Sequence, residues 1–515
     1  MSRINSNVSS QVARSNLRKA GTDLDTRLQR LSTGLRINRG ADDPAGLIIS
    51  QRLGSEIDGL QQAIKNTERA SSVIATAEGA LSEVSDLLNS IKGLVVEAAS
   101  TGATSDQERE ANQLQINSAI DSITRISESS SFGGLKLLNG SLDYVLSGVK
   151  TSAITRARVY NANLNGRSSI QVNVDVLNSA QNATLYIPGT YTGVLTSANG
   201  RLVSATRMEI RGPRGVRVLD FIARTPLSAV RDGINSLKDA TGLSASLDGT
   251  NGTSGVVINS VDFGSSEFVS VQNLNNAEAF KTYRLKNGLP VTTSSIAERI
   301  AGNTLEASND DIGQDVFALV NGVLGSGRGV VVNLPDSTTL GLELTLSVAM
   351  ATKPSAAVST FYITGGGALY QLGGEINSAQ QVNIGIPSTA SNRIGGRLIQ
   401  GTLQFLDSIK SGGLNSLDKK ERLQYASDIV AAAIDEVSTF RGRLGALEKN
   451  TLGTNARSIQ TAVENLTASQ SIIRDADFAE ETSKLTRAQI LSQTSTSVLQ
   501  LANQQAQSVL SLLQR

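Results

Sequence analysis

Residues 485–515 read LTRAQILSQTSTSVLQLANQQAQSVLSLLQR, and the spacing inside this stretch decides the fold. From Leu485, small and apolar residues fall at Ala488, Leu491, Val498, Ala502, Val509 and Leu513, in steps of about 3.5 or twice that, the mark of a helix burying one narrow stripe against other helices. From Thr454 to the last residue there is no glycine and no proline. The opposite end answers with Leu17, Leu24, Leu28, Leu31 and Leu35, stepping 7, 4, 3 and 4. Two terminal helices that each need a partner predict a chain that closes on itself or assembles with copies of itself. The candidate assembly interface is therefore Leu17, Leu24, Leu28, Leu31 and Leu35 with Leu485, Leu491, Val498, Ala502, Val509 and Leu513.

Working inward, Gly34 and Gly40 end the first helix, and Asp42, Asp43 and Pro44 form a joint to the next. Asp43 suits an N-cap and Pro44 a first helical position. A second helix follows, with Ile57, Leu60, Ile64, Thr67, Ser71, Ile74, Ala77, Leu81, Val84, Leu88, Ile91 and Val95 on one face. Gly59, Gly79 and Gly93 lie off that seam, each weakening the helix by about 1 kcal/mol relative to Ala. A helix over 44–100 is about 85 Å long, which suits a rod better than a globule. Ser105 and Glu108 have capping-box spacing and open a third helix, with Ile116, Ile120 and Ile123 on one face.

The middle changes character. Seven of eight prolines, Pro188 to Pro387, and seven of eight tyrosines, Tyr144 to Tyr370, fall there. Ser169 to Val176 alternates as a half-buried strand, and Leu227–Leu237 reads as a short helix before a strand at Ser244–Leu247. Helices resume over 397–411 and 416–449, with a break expected at Gly453. The fold class is α plus β and multidomain, with terminal coiled-coil helices, a long helical-bundle rod, and β-rich outer domains inserted in the middle. The expected division is 1–43 with 471–515 as a terminal coiled coil, 44–180 with 397–470 as a helical rod carrying a β-hairpin, and 181–396 as β-rich surface inserts.

Composition excludes several functions. The 515 residues hold no cysteine, histidine or tryptophan, so thiolate metal sites, the usual zinc sets and Ser-His-Asp triads cannot be built. No paired carboxylates stand in a setting that suggests catalysis; an enzyme, a metal site and a cofactor are not expected. The net charge of +1 argues against a nucleic-acid binder, although the first 40 residues carry eight Lys/Arg against Asp23 and Asp25. No apolar segment follows Met1 as in a cleavable secretory signal, and no run of about 18 apolar residues predicts membrane insertion.

The segments Gln29-Arg30-Leu31-Ser32-Thr33-Gly34-Leu35-Arg36-Ile37-Asn38 and Ala41-Asp42-Asp43-Pro44-Ala45-Gly46-Leu47 strongly resemble the signature of bacterial flagellin. So do Arg443-Leu444-Gly445-Ala446, Thr486-Arg487-Ala488-Gln489-Ile490-Leu491, and the ending from Ala502 to Leu513. The likeness covers about 140 residues at one end and 110 at the other; the middle resembles flagellin inserts only loosely, over Leu227–Leu247.

The resemblance implies a structural subunit that polymerises into a hollow flagellar filament outside the cell, after unfolded export through the flagellar type III apparatus. It implies as partners many identical subunits, an export chaperone, and the filament cap and hook-junction proteins. In the family the C-terminal helix is held by the chaperone, which makes Val509, Leu510, Leu512 and Leu513 the candidate contact. Family members detected by an innate immune receptor carry an arginine and a glutamate where this chain has Ser90 and Gln115. Each loss weakens a polar contact by about 1 to 3 kcal/mol, so poor recognition is expected. The rival readings are a hook-filament junction protein, a minor flagellin, and, from another class, a secreted adhesin on a helical stalk.

Overall fold

The computed structural model describes residues 6–100, 102, 104–164, 166–189, 200–202, 204–248, 255–275, 280–286, 296, 299, 303–334, 340–353 and 358–513; the side chains of residue 506 and residues 509–513 lie outside that description. The chain divides into two compact units: Met1–Ala70 with Gln371–Gln381 and Lys449–Arg515, and Ser71–Tyr370 with Val382–Glu448.

The first unit holds helix α1 (Val8–Thr33) and the opening part of α2 (Pro44–Ala98). The side chain of Asn7 caps α1 by accepting the Ser10 N–H, and Gly34, at φ 71°, closes it in the left-handed conformation. Asp43 caps α2 as its position predicts, Oδ1 accepting the Gly46 N–H at 2.9 Å. Within this unit α2 buries Ser50, Ile57, Ala63, Thr67 and Ala70. The Gln371–Gln381 loop belongs here too, and Gly59 is the reason it fits. A Cβ at Gly59 would stand 3.2 Å from the Gly374 carbonyl oxygen, so the glycine permits close approach besides weakening the helix.

In the second unit the rest of α2 is accompanied by α3 (Asp106–Ser129), α4 (Leu227–Ser236) and α5 (Leu423–Ala446). The capping box is present: Glu108 N–H donates to Ser105 Oγ at 3.2 Å, and Ser105 N–H to Glu108 Oε2 at 2.7 Å. The expected α2 seam is buried through Ile74, Ala77, Leu81, Val84, Leu88, Ile91 and Val95, as are Ile116, Ile120 and Ile123 of α3 and Ile429, Val430, Ala433 and Val437 of α5.

The β-rich part forms an eight-stranded antiparallel sheet, ordered Tyr144–Ser147, Ser359–Gly366, Ile170–Asn178, Phe317–Val320, Val323–Arg328, Val331–Leu334, Leu340–Leu346 and Ile154–Ala162. The Tyr144 hydroxyl ties the two edge strands, accepting the Ala162 N–H at 2.8 Å and donating to its carbonyl at 3.3 Å. Burial pushes that hydroxyl up to about 12. Val172, Val174 and Val176 face the core in the alternation read from the sequence. A five-stranded and a four-stranded sheet share a second core with Leu227, Val230 and Ile234 of α4.

Three expectations need correction. Residues 144–180 are more than a hairpin on the helices: Ile154–Ala162 pairs with Leu340–Leu346 and Ile170–Asn178 with Phe317–Val320, so they are integral to the eight-stranded sheet, which belongs to the same unit as α3 and α5. The helix expected over 397–411 is a hairpin of Arg397–Ile399 and Thr402–Gln404 followed by a 3-10 turn at Leu406–Ile409. Gln400 and Gly401 both have positive φ, 52° and 78°, which supplies the tight turn and removes the helix. Gly453 does not break the helix either. Leu447–Leu452 forms a π-helix that leads into α6 (Gly453–Arg474), because one glycine costs only about 1 kcal/mol in a helix and Leu452 is buried.

Candidate assembly interface

Both terminal helices lie in the first unit and pair antiparallel. Helix α7 (Phe478–Leu513) returns along α1, so Asn7 Nδ2 donates to Ala502 O at 3.0 Å near one end and Arg27 reaches Glu481 near the other. In α1 the partner-facing positions are Ser10, Ala13, Leu17, Ala20, Leu24, Arg27 and Leu31; in α7 they are Leu485, Ala488, Ser492, Ser495, Leu499 and Ala502. Each set steps strictly by three and four. Only Ala13, Ala488 and Ala502 are fully buried among these apolar positions, and the leucines are half-buried.

The structure thus sorts the predicted interface into two groups. Leu17, Leu24, Leu31, Leu35, Leu485 and Ala502 are buried or half-buried. Leu28, Leu491 and Val498 are not: they are 48%, 46% and 49% exposed. With Ile490 and Leu501, also exposed, Leu491 and Val498 form a second apolar stripe on α7. Periodicity alone does not separate the two stripes, because four of the six α7 seam positions are alanine or serine and larger apolar residues stand beside them. Val509 and Leu513, and the Val509, Leu510, Leu512 and Leu513 chaperone candidates, lie outside the described side chains.

Composition and spacing gave no sign of the charged clasp between the helices. Glu481 is 4% exposed. Both its oxygens accept Arg27 Nη1 at 3.0 Å, and Oε1 also accepts Arg30 Nη1 at 3.2 Å. Arg27 is steadied in turn by Asp23, with Nε to Oδ1 at 3.1 Å. Burial alone would raise the Glu481 carboxyl; the hydrogen bonds and charges of Arg27 and Arg30 outweigh it and hold the group below its ordinary value. Glu481 follows Glu480 in the sequence and stands more than 450 positions from Arg27 and Arg30, so no local spacing signalled the clasp.

The joint is built by backbone as much as by Asp42 and Asp43. Arg36 N–H donates to Arg474 O at 2.7 Å and Ala476 N–H to Gly34 O at 2.9 Å, which ties the α1–α2 connection to the α6–α7 connection. Asp42 Oδ2 accepts the Arg39 and Asn38 N–H groups at 2.9 and 3.0 Å, and those bonds lower its carboxyl. Ile37 is buried against Gly46, where a Cβ would come within 2.7 Å of it. Pro44 is exposed, as are Ser90 and Gln115.

Among the described residues no cluster of three or more Asp/Glu could hold a metal ion, and no helix is long and apolar enough to cross a membrane.

Residues 4–143 match the family described as the bacterial flagellin N-terminal helical region, and residues 427–513 the bacterial flagellin C-terminal helical region. The chain is 28% identical over 529 residues to a flagellin of Salmonella typhimurium, covering 99% of each chain. It is 28% identical over 528 residues to a B-type flagellin of Pseudomonas aeruginosa, again with 99% of each covered. Among solved structures, a flagellar hook associated protein-3 from Legionella pneumophila covers 83% of this chain and 98% of its own at 11% identity and a TM-score of 0.29, a likeness too slight to compare the folds.

Proposed function

The chain belongs to the bacterial flagellin family, and from that premise we propose that the exposed stripe of its terminal helices is where neighbouring copies pack. Its function is that of a structural subunit of the extracellular flagellar filament. The observation that supports the finer reading is the pair of stripes on α7. One, through Leu485, Ala488, Leu499 and Ala502, is used within the subunit; the other, through Leu491 and Val498, is left uncovered in a single chain. Leaving medium-sized apolar residues exposed along a helix costs solubility unless copies cover them.

On this reading 1–43 with 471–515 form the innermost layer, the neighbouring helices the next, and the sheets the outer surface. Asp42, Asp43 and Pro44 form the joint between the layers. The chain leaves the cell unfolded by the flagellar type III route, with Val509, Leu510, Leu512 and Leu513 held by an export chaperone beforehand. It meets cap and hook-junction proteins at the filament ends and performs no catalysis. Ser90 and Gln115 make it a poor ligand for the innate immune receptor.

The test seeds the intact chain and a Leu491→Ser/Val498→Ser variant with short filament fragments and follows growth by electron microscopy. Growth of the intact chain with failure of the variant is the expected result. Equal growth of both removes the second stripe from the interface, and no growth of the intact chain favours the junction-protein reading.

A further inference from the structure

Among the described residues, two cavities of the second unit bear on ligand binding. The larger, about 830 Å3, is lined by Arg156, Arg158 and Arg393 but also by Glu128 and Asp143. Two of its three arginines are spent, since Glu436 takes Arg156 at 2.7 Å and also contacts Arg158, and the charge of Asp143 acts on the third, Arg393. With its charges balanced from within, it selects no ligand.

The smaller cavity, about 280 Å3, is built differently. It opens where Ser179–Asn182 crosses from the eight-stranded sheet to the strand Thr184–Pro188. Its walls include Gln181, Asn182, Tyr186, Phe263 and Leu285, and the one charged side chain among its lining residues is Asp311. We propose that this cavity binds a small organic ammonium ion, with Asp311 as counter-charge and Tyr186, Phe263 and Leu285 as apolar walls.

The carboxylate carries the argument. Asp311 is half-buried, and the Thr184 N–H fixes its Oδ2 at 2.7 Å. Among the described residues it forms no ion pair. Arg284, the nearby cation, is engaged by Glu306 at 2.7 Å, and the strand neighbour Asp310 adds negative charge. Burial raises the Asp311 carboxyl, a desolvation cost that a bound cation relieves. Uncharged acceptors stand beside it: Asn182 spends its Nδ2 on Ser260 O at 3.3 Å, leaving Oδ1 for a donor.

The same lining disfavours other ligands. Among the described lining residues there is no lysine or arginine, so an anion would meet the Asp311 carboxylate with no cation in the wall to offset it. A calcium ion takes about six to eight oxygen ligands, and a single carboxylate with two amides does not supply them. Arg299 already lies over the Tyr186 ring at 5.2 Å, so the walls act by contact with methyl or methylene groups more than by cation–π attraction. A compact head such as a trimethylammonium group satisfies each constraint.

The test titrates the full-length monomeric chain with choline chloride and, separately, with 3,3-dimethylbutan-1-ol, its uncharged isostere, by calorimetry at neutral pH. Saturable choline binding is expected, with the isostere at least tenfold weaker. Asp311→Asn keeps an acceptor for the Thr184 N–H and is expected to weaken choline at least tenfold, with circular dichroism reporting that the fold is intact. A second measurement needs no variant: choline does not titrate, so its affinity for the native chain should fall as acid protonates Asp311. Absence of saturable binding at tens of millimolar overturns the proposal. So does equal binding of the isostere, or choline affinity that ignores both pH and the substitution.

Discussion

The α1–α7 pair and the bundle of α2, α3 and α5 are both built on three-four spacing, yet they bury different things. In the bundle Leu81, Val84, Leu88 and Ile91 of α2, Ile116, Ile120 and Ile123 of α3, and Ile429 and Val430 of α5 are all shut away from solvent. Each such side chain contributes about 1.5–3 kcal/mol. In the terminal pair the fully buried apolar groups on the seam are Ala13, Ala488 and Ala502, worth about one methyl, or 0.8 kcal/mol, apiece, together with one charged group, Glu481. Ordering each helical residue costs about 1–2 kcal/mol, so a 26-residue and a 36-residue helix joined mainly by alanines and half-buried leucines have little surplus. The bundle stabilises itself. The pair holds a register with little stability to spare, and on the proposed reading neighbouring copies supply the rest.

Breaking the bundle should have the largest effect. Ile120→Ala is expected to lower stability by about 2–5 kcal/mol, read from the urea midpoint by circular dichroism, whereas Leu17→Ala in the terminal seam should cost under about 1.5 kcal/mol. Equal losses would erase the contrast between the regions.

Glu481→Gln comes next. It leaves Arg27 and Arg30 without their shared carboxylate, and because those arginines are 19% and 20% exposed, solvent screening limits the loss to about 1–2 kcal/mol. Hydrogen exchange of the α1 amides reports it. The pH dependence has a definite sign. The folded carboxyl is depressed, so its stabilisation is complete above the ordinary carboxylate range near 4.3 and is lost as pH falls through the lower folded value. Native α1 should therefore lose protection in acid over a window where the glutamine variant shows no such step.

Tyr144→Phe gives a yardstick away from both helical regions. It removes the hydroxyl between the edge strands and should cost about 1 kcal/mol, seen in faster exchange of the Ala162 amide. The smallest effect on the monomer belongs to Leu491→Ser/Val498→Ser, expected to shift its stability by less than about 0.5 kcal/mol because both residues are exposed. If that pair destabilised the monomer as Leu17→Ala does, the second stripe would be serving the subunit itself.

Local chemistry made much of this molecule legible. Asp43 and Ser105 announced their helix starts, the α2 seam from Ile74 to Val95 announced its buried face, and the valines of Ile170–Asn178 announced a half-buried strand. Each signal is a property of residues a few positions apart, which share a turn or a pleat whatever the rest of the chain does. The absence of cysteine and histidine fixed with equal certainty which site chemistries the chain cannot build.

Long-range geometry decided the remainder. That Leu485 and Ala502 face α1 while Leu491 and Val498 do not depends on the rotation at which two helices meet, and small side chains allow a close approach that residue size does not foretell. That Glu481 is clasped by Arg27 and Arg30, that Ile154–Ala162 pairs with Leu340–Leu346, and that Asp311 stands half-buried with its Oδ2 on the Thr184 N–H all rest on partners far along the chain. Periodicity says that a face will be covered; only the packed structure says by what, because burial and electrostatics are set by the neighbours that folding brings together.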